Sequence, residues 1–540
     1  MKKLLSIALV LAMVLTMVAC GSASTQETNA PEATKAPATA EAAASAGEAI
    51  AESSIVRGGT LKIGKGVLLS TLDPTKVTAR DSDYDIICQI YEPLVRADAN
   101  GNLIPGLAES WEVKDEQTII FHLRTDVKFH DGSDFNAEAV KANFEYYTDE
   151  DVGAICASEL KCLESVEVID DSTVQVNLSQ PSSIFITDLT NYSGLMIAPS
   201  ALEQGADYLV DHACGTGAFQ VADYVEGVSI TLEANPYYYV NGEDGKPLPY
   251  VDKVEVSMIT DQTTKVNSLL AGDIDLTDYL ATTGIEQLET NEAFTLQRIT
   301  TSDIYTLFCQ VDDEVLSDVR VRQALAYAVD REALANVITR GYGFASKWAC
   351  DPDQWFYSDS SPYTYDVEKA KSLLAEAGYG DGLTLTMQCI SREPDNTVMQ
   401  VLQQQLAAAG IEVKLESMER TEWVSIWTTE HTGQLGLAKM TVPRVDPYVQ
   451  LNTNMGATSA NNYSTYKGEK FNELLQSLSS IYDADEQKAV LQEAQEVYLE
   501  DCASIFLYQM PRYDAFSGKV QNFTTYALGP WDLSQIWLAA

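Results

Sequence analysis

Two stretches of this chain run through strand, helix and strand periodicity in turn, and together they exclude most folds. In the first, Val254, Val256 and Met258 fall on alternate residues, as in a half-buried strand. Asp261 then stands as a cap before Val266, Leu269 and Leu270 at helical spacing, and Ile274-Asp275-Leu276 returns as a strand. In the second, Leu383, Leu385 and Met387 alternate, Val398, Leu402 and Leu406 share a helical face ended by Gly410, and Ile411, Val413 and Leu415 alternate again. A helix of this length between two strands is the crossover that parallel strands need, so each stretch predicts a βαβ unit and the fold class is α/β. A chain of 540 residues exceeds one core, so several domains are expected. No period of 20–50 residues recurs, which argues against a solenoid.

The N-terminus reads as a targeting segment. Lys2 and Lys3 precede an apolar run from Leu4 to Ala19, shorter than the roughly 20 residues a membrane span needs. The run ends Met17-Val18-Ala19-Cys20-Gly21, which is similar to a bacterial lipobox and implies acylation of Cys20 after removal of residues 1–19. Residues 20–56 are mostly Ala, Ser, Thr, Glu and Pro with no apolar period, a tether whose random-coil reach is about 30 Å. The folded protein is therefore expected at the outer face of the cell membrane, held by acyl chains alone.

With 79 acidic residues against 35 basic ones, the formal charge is −44. Such a surface repels phosphate backbones and argues against a nucleic-acid partner. Catalysis finds no support: there is no G-x-S-x-G, H-E-x-x-H or Walker-type loop, and no cofactor is expected. Four histidines without ligand spacing give no metal site, and His122 and His130 read as strand and turn residues. The eight cysteines beyond Cys20 fit neither a redox nor a zinc motif. Cys156 and Cys162 pair if the segment between them turns back; otherwise all eight are free buried thiols.

The stretch FHLRTDVKFHDGSDFNAEAVKANFEYY, Phe121–Tyr147, reads as the end of a half-buried strand in which Ile119, Phe121 and Leu123 alternate, then a turn and a helix, with Asn136 as cap and Val140, Phe144 and Tyr147 on one face. It resembles the signature of family 5 extracellular solute-binding proteins, the oligopeptide-, dipeptide- and nickel-binding receptors of ABC importers. Further blocks resemble the same family in the same order: Tyr91-Glu92-Pro93-Leu94, Ile104-Pro105-Gly106-Leu107-Ala108-Glu109-Ser110-Trp111, Cys214-Gly215-Thr216-Gly217-Ala218-Phe219 and VRQALAYAVDREAL from Val321. Around the last block, Asp318 reads as the cap of a helix bearing Val321, Ala324, Leu325 and Ala328, and Asp330 as the cap of the next, with Leu334, Val337 and Ile338 on its apolar face. The Cys214–Phe219 glycines have no following Lys-Ser/Thr and read as a strand-edge turn, not a phosphate cradle. The resemblance implies a two-lobed, clamp-like periplasmic-binding-protein fold of type II with a hinge and an extra α+β domain. Mapped here, lobe I is 57–84, 197–308 and 506–540, the extra domain 85–196, and lobe II 309–505.

The resemblance also implies a monomeric, non-enzymatic receptor that captures a small solute or short peptide and hands it to a membrane permease with its ATPase subunits. Thr78-Ala79-Arg80 corresponds to a strand that pairs with a peptide ligand's backbone. Trp423 corresponds to a pocket tryptophan or is a core aromatic, and Tyr305 and Tyr508, near the expected lobe crossovers, are placed to reach the ligand cleft. In Thr441-Val442-Pro443-Arg444-Val445-Asp446-Pro447-Tyr448, Pro443 stands where peptide-binding relatives carry an aspartate for the ligand's α-ammonium. The segment corresponds to a cleft-lining one, so Asp446 and Tyr448 are ligand-binding candidates although Asp446 also shapes the turn, and Arg444 is either a surface cation or a holder of a carboxylate. The cargo thus stays open between a peptide, an oligosaccharide stacked on Trp423 and another polar or anionic solute. A sensory or interaction lipoprotein on the same scaffold is the remaining alternative.

Overall fold

The computed structural model describes residues 55–77, 80–98, 101–299, 301, 303–441, 446–481, 483–525 and 530–539. The expected signal segment, Cys20 and almost all of the expected tether lie outside the described residues, as do Thr78, Ala79 and Arg444. Both βαβ units form. Asp261 accepts a hydrogen bond from Thr264 N at 2.7 Å, capping the helix Gln262–Ala271, and Gly272 ends it at φ +77°. The strands on either side, Lys253–Met258 and Leu276–Thr277, are parallel as expected but are not neighbours. Thr60–Lys65 lies between them, Ile63 facing Val256 on one side and Leu276 on the other. In the second unit Leu383–Ile390 and Ile411–Met418 pair directly, Leu383 with Ile411 through Ile390 with Met418.

Each unit seeds a sheet. The first has seven strands in the order Phe294–Ile299, Arg512–Ser517, Leu276–Thr277, Thr60–Lys65, Lys253–Met258, Ser229–Ala234, Phe219–Val225. The second has six, in the order Phe344–Ala345, Ser504–Gln509, Ile304–Cys309, Leu435–Met440, Leu383–Ile390, Ile411–Met418. The chain leaves the first sheet at Ile299 and enters the second at Ile304, then leaves the second at Gln509 and re-enters the first at Arg512. The boundaries expected at 308/309 and 505/506 therefore fall inside two strands of the second sheet. Alternation marks a strand but not the sheet it joins, and Ile304–Cys309 is claimed by Leu435–Met440 and Ser504–Gln509 through their backbone ladders.

A four-stranded antiparallel sheet, in the order Ala108–Asp115, Thr118–Leu123, Thr173–Leu178, Leu163–Asp170, makes the extra region. Ile119, Phe121 and Leu123 point inward as read, and Asn136 accepts from Ala139 N at 3.0 Å to cap Ala137–Thr148. This region shares one apolar core with the seven-stranded sheet, Phe121 and Phe144 joining Leu61, Ile63 and Val256. The boundary expected at 84/85 falls within the helix Arg80–Ile90, whose Ile86, Ile87 and Ile90 lie in that shared core. The second sheet has its own core. Asp318 and Asp330 cap the helices expected of them, but Val337 is 60% exposed and Ile338 takes the inward position. Cys156 and Cys162 are separate buried thiols.

Beyond the crossovers, side chains join the two lobes. Arg340 meets Glu286 at 3.2 Å, the Tyr342 hydroxyl donates to Glu289 at 2.6 Å, and Arg298 meets Asp353 at 2.7 Å. Away from the crossovers, Ser183 of the extra region donates from N to Ser479 O at 2.9 Å and from Oγ to Leu478 O at 2.8 Å.

Candidate functional site

Strand direction sets where a site can lie. In the second sheet the carboxyl ends of Leu383–Ile390, Ile411–Met418 and Leu435–Met440 share one edge with the start of Ile304–Cys309 and the end of Ser504–Gln509. In the first sheet the carboxyl ends of Thr60–Lys65 and Leu276–Thr277 share an edge with Ile299 and Arg512. The crossovers tie these two edges together, which is the place where open α/β sheets bind ligands. A recess of about 200 Å³ opens there, lined by Tyr279, Leu280, Thr301, Asp303, Tyr305, Lys439, Met510, Pro511, Arg512 and Tyr513.

The first-lobe side of this recess is built from buried charge. Arg512 donates from Nε to Asp514 at 2.8 Å and from Nη2 to Asp85 at 2.8 Å. Lys65 contacts Asp85 at 2.7 Å and Asp278 at 2.8 Å, and Lys265 donates to the Asp278 carbonyl at 2.6 Å. Trp531 Nε1 donates to Asp514 at 2.8 Å, and Arg512 lies over the rings of Tyr279 and Trp531 at 4.5 and 5.2 Å. Three cations thus face three carboxylates away from water, each satisfied by hydrogen bonds as a buried charge must be. Burial works to raise the pKa of Asp278, but Lys65, Lys265 and Arg512 hold it at about 2.

The second-lobe side is aromatic. Tyr305 and Tyr508 stack face to face, ring centroids 4.5 Å apart at 6°. Burial, with the Asp395 charge adding to it, lifts the Tyr305 phenol to about 12. The Tyr508 hydroxyl, the Gln509 amide and Asp395 Oδ1 are buried without a hydrogen bond of good geometry among the described residues. On this side one open ion pair reaches the recess: Lys439 meets Asp303 at 2.5 Å, and Thr441 Oγ1 donates to Asp303 at 2.6 Å.

Of the residues singled out from the sequence, Tyr305 lines the recess and Tyr508 backs it. Trp423 is 2% exposed, stacked on Trp427 at 5.9 Å and edge-on to Tyr463 at 5.0 Å inside the second core. Asp446 caps Pro447–Met455 by accepting from Val449 N at 3.0 Å, a turn-shaping role, and Tyr448 packs half-buried against the second core. Arg80 opens a helix rather than continuing a strand. Acidic residues crowd the first turn there and Ile86, Ile87 and Ile90 set a helical face, which overrides an extended conformation.

The motifs that resemble the family are largely scaffold. His130 Nε2 donates to Gly217 O at 3.0 Å and its Nδ1 accepts from Gly215 N at 3.3 Å, clamping the Cys214–Phe219 loop. Burial holds its pKa down to about 4. A β-carbon on Gly215 or Gly217 would meet the carbonyls of Ile90 or Gln89 at 2.1 and 2.2 Å, so the glycines let the loop lie on the end of the helix Arg80–Ile90. Residues that sequence reasoning missed are Lys65, Lys265, Asp303, Lys439 and Arg512. One signal was present: Lys65 extends the inward alternation of Leu61 and Ile63, and Lys265 lies one helical turn before Leu269, both at core positions.

Two α/β lobes joined by two short crossovers, with charged and aromatic walls meeting at a recess between them, define a clamp-like binding protein. The sequence profile of the bacterial extracellular solute-binding proteins, family 5 (middle region), matches residues 102–494. The glutathione-binding protein GsiB of Salmonella choleraesuis is 30% identical over 362 residues, covering 66% of this chain and 69% of that protein. HbpA2 from Haemophilus parasuis has the same fold with a TM-score of 0.81 at 26% identity, covering 89% of this chain and 100% of that one. DppA from Helicobacter pylori, solved with the peptide STSA, gives 0.72 at 26% identity, covering 90% and 99%. The chain belongs to the family 5 extracellular solute-binding proteins, the capture components of ABC importers.

Proposed function

We propose that this protein captures short peptides or their close relatives and delivers them to a membrane permease and its ATPase subunits. The observation that carries this reading is the recess at the crossovers, where charged and hydrogen-bonding groups from both sheets converge on a space that lobe closure would seal. Relatives of known cargo support it: one is named for glutathione and another was solved with a peptide. The burial of Trp423 speaks against an oligosaccharide stacked on its face. Ligand binding stabilises the folded state by RT ln(1 + [L]/Kd), so thermal unfolding against a library of peptides, amino acids and sugars tests the reading. Shifts confined to peptides and amino-acid derivatives support it; shifts confined to sugars, or none at all, overturn it.

The reading extends to the membrane. Cys20 at the end of the Leu4–Ala19 run carries the acyl chains, and residues 20–56 hold the folded body off the bilayer as a monomer on the outer side. Among the described residues no helix is long and apolar enough to cross a membrane. Detergent-phase partitioning of the native protein, lost in Cys20→Ala, is the expected result; partitioning unchanged by that substitution removes the lipid anchor. Gel filtration at micromolar concentration checks the monomer.

A further inference from the structure

We infer that the recess at the crossovers receives an α-amino-acid head, an ammonium and a carboxylate carried on one carbon. This rests on the solute-capture reading above and names the part of the cargo that is recognised.

Three observations carry it. The first is charge. The protein has more than twice as many acids as bases, yet this recess is lined by two cations, Lys439 and Arg512, and one carboxylate, Asp303. The second is the state of these groups. Arg512 is immobilised: Asp85 and Asp514 hold it, and the Tyr279 and Trp531 rings flank it. Among the described residues its Nη1 makes only a 3.4 Å contact with Asp85. Lys439 and Asp303, by contrast, form a half-open pair with side chains 35% and 21% exposed. An ion pair that water still reaches contributes little, so it is readily exchanged. The third is size. A volume of about 200 Å³ is below the roughly 300–1,000 Å³ that encloses a drug-sized ligand, so it suits a free amino acid or one end of a longer molecule.

Geometry then selects the head. Lys439 and Asp303 touch, so their partners must also be adjacent. An α-amino acid meets that condition: its carboxylate takes Lys439 with Arg512 behind it, and its ammonium takes Asp303, which keeps the Thr441 hydroxyl. One exchangeable ion pair becomes two charge-assisted contacts in a recess that closure dries. A peptide of ordinary linkage carries its ammonium and carboxylate at opposite ends and fills only half of this arrangement. A γ-glutamyl peptide keeps both on one carbon.

Isothermal titration of the full chain with free amino acids, glutathione, its α-linked isomer Glu-Cys-Gly, N-acetyl-glutathione and trialanine tests the assignment. Glutathione or a free amino acid is expected to bind at least 10-fold more tightly than the α-linked isomer, and N-acetylation of glutathione to cost a similar factor. Asp303→Asn and Lys439→Met should each weaken glutathione or the free amino acid at least 10-fold, a larger factor than either costs trialanine, and Lys439→Arg should restore most of the loss. Circular dichroism and the unliganded Tm confirm that each variant is folded. Equal affinity for the two isomers, or binding of glutathione and free amino acids unaltered in folded D303N and K439M, overturns the head-group assignment and leaves the capture reading standing. Absence of binding by the whole panel overturns the peptide reading, and the assignment with it.

Discussion

The two walls of the recess solve the same problem with opposite materials. The first lobe presents Lys65, Lys265, Arg512, Asp85, Asp278 and Asp514, a closed set in which each charge has a partner. The second presents the Tyr305–Tyr508 stack and buried groups with hydrogen bonds left unmade. Each member of a buried charge set fixes the others, because displacing one strands a charge in low dielectric. Stacked rings strand no charge when they shift, and an offset stack is itself a favoured arrangement, so a lateral slide exchanges one good geometry for another. One wall therefore works as a fixed anvil and the other as an adaptable face.

The largest test of that contrast is Arg512→Met. It takes the paired cation from Asp514 and leaves Asp85 with Lys65 alone, and a loss of about 3–5 kcal/mol is expected by urea unfolding. A loss below about 1 kcal/mol would show that the network is not the rigid wall.

The next expected effect concerns pH, and it falls on the first core. His130 is held neutral with a pKa of about 4 against an ordinary 6.5, so the unfolded chain takes up the proton first as pH falls. Stability is full above about 6.5 and declines towards 4, by roughly 2 kcal/mol for a ring that is only partly buried by its surroundings. Urea midpoints at pH 7 and 4.5 check this, and His130→Asn should flatten that part of the slope.

Smaller again is Ser183→Ala, which removes the hydroxyl bond from the extra region to Leu478 of the second lobe. A shift of about 1 kcal/mol towards the open form is expected, read as a larger radius of gyration by small-angle scattering without ligand. At the adaptable wall, Tyr508→Phe removes a buried hydroxyl that lacks a well-formed hydrogen bond, so stability should change by no more than about 0.5 kcal/mol. A large loss there would mean that the second wall is as specific as the first.

Much of the fold could be read in advance, and the reason is local. The helix caps Asn136, Asp261, Asp318 and Asp330 act within three residues, and the alternation of Ile119, Phe121 and Leu123 reports one buried face. The domain boundaries could not be read the same way, since Ile304–Cys309 and Ser504–Gln509 look alike whichever sheet they enter. The site was harder still. Trp423 was a fair candidate by type and position, but a tryptophan on a short helix looks the same in a sequence whether it faces a cleft or Trp427.

The sequence by itself determined the class of fold, through two strand–helix–strand periods, and carried the blocks by which the family is known. Those blocks turn out to build the scaffold: His130, Gly215 and Gly217 lock one loop onto one helix end. Only the tertiary structure decided which charges meet. Asp85 and Arg512 are 427 residues apart, and Asp303 and Lys439 are 136 apart. Short-range propensities act over a few residues. An ion pair between distant segments exists only once the sheet that brings them together has formed: Arg512 enters the first sheet near Asp85, and Asp303 stands beside the pairing of Tyr305 with Lys439 in the second.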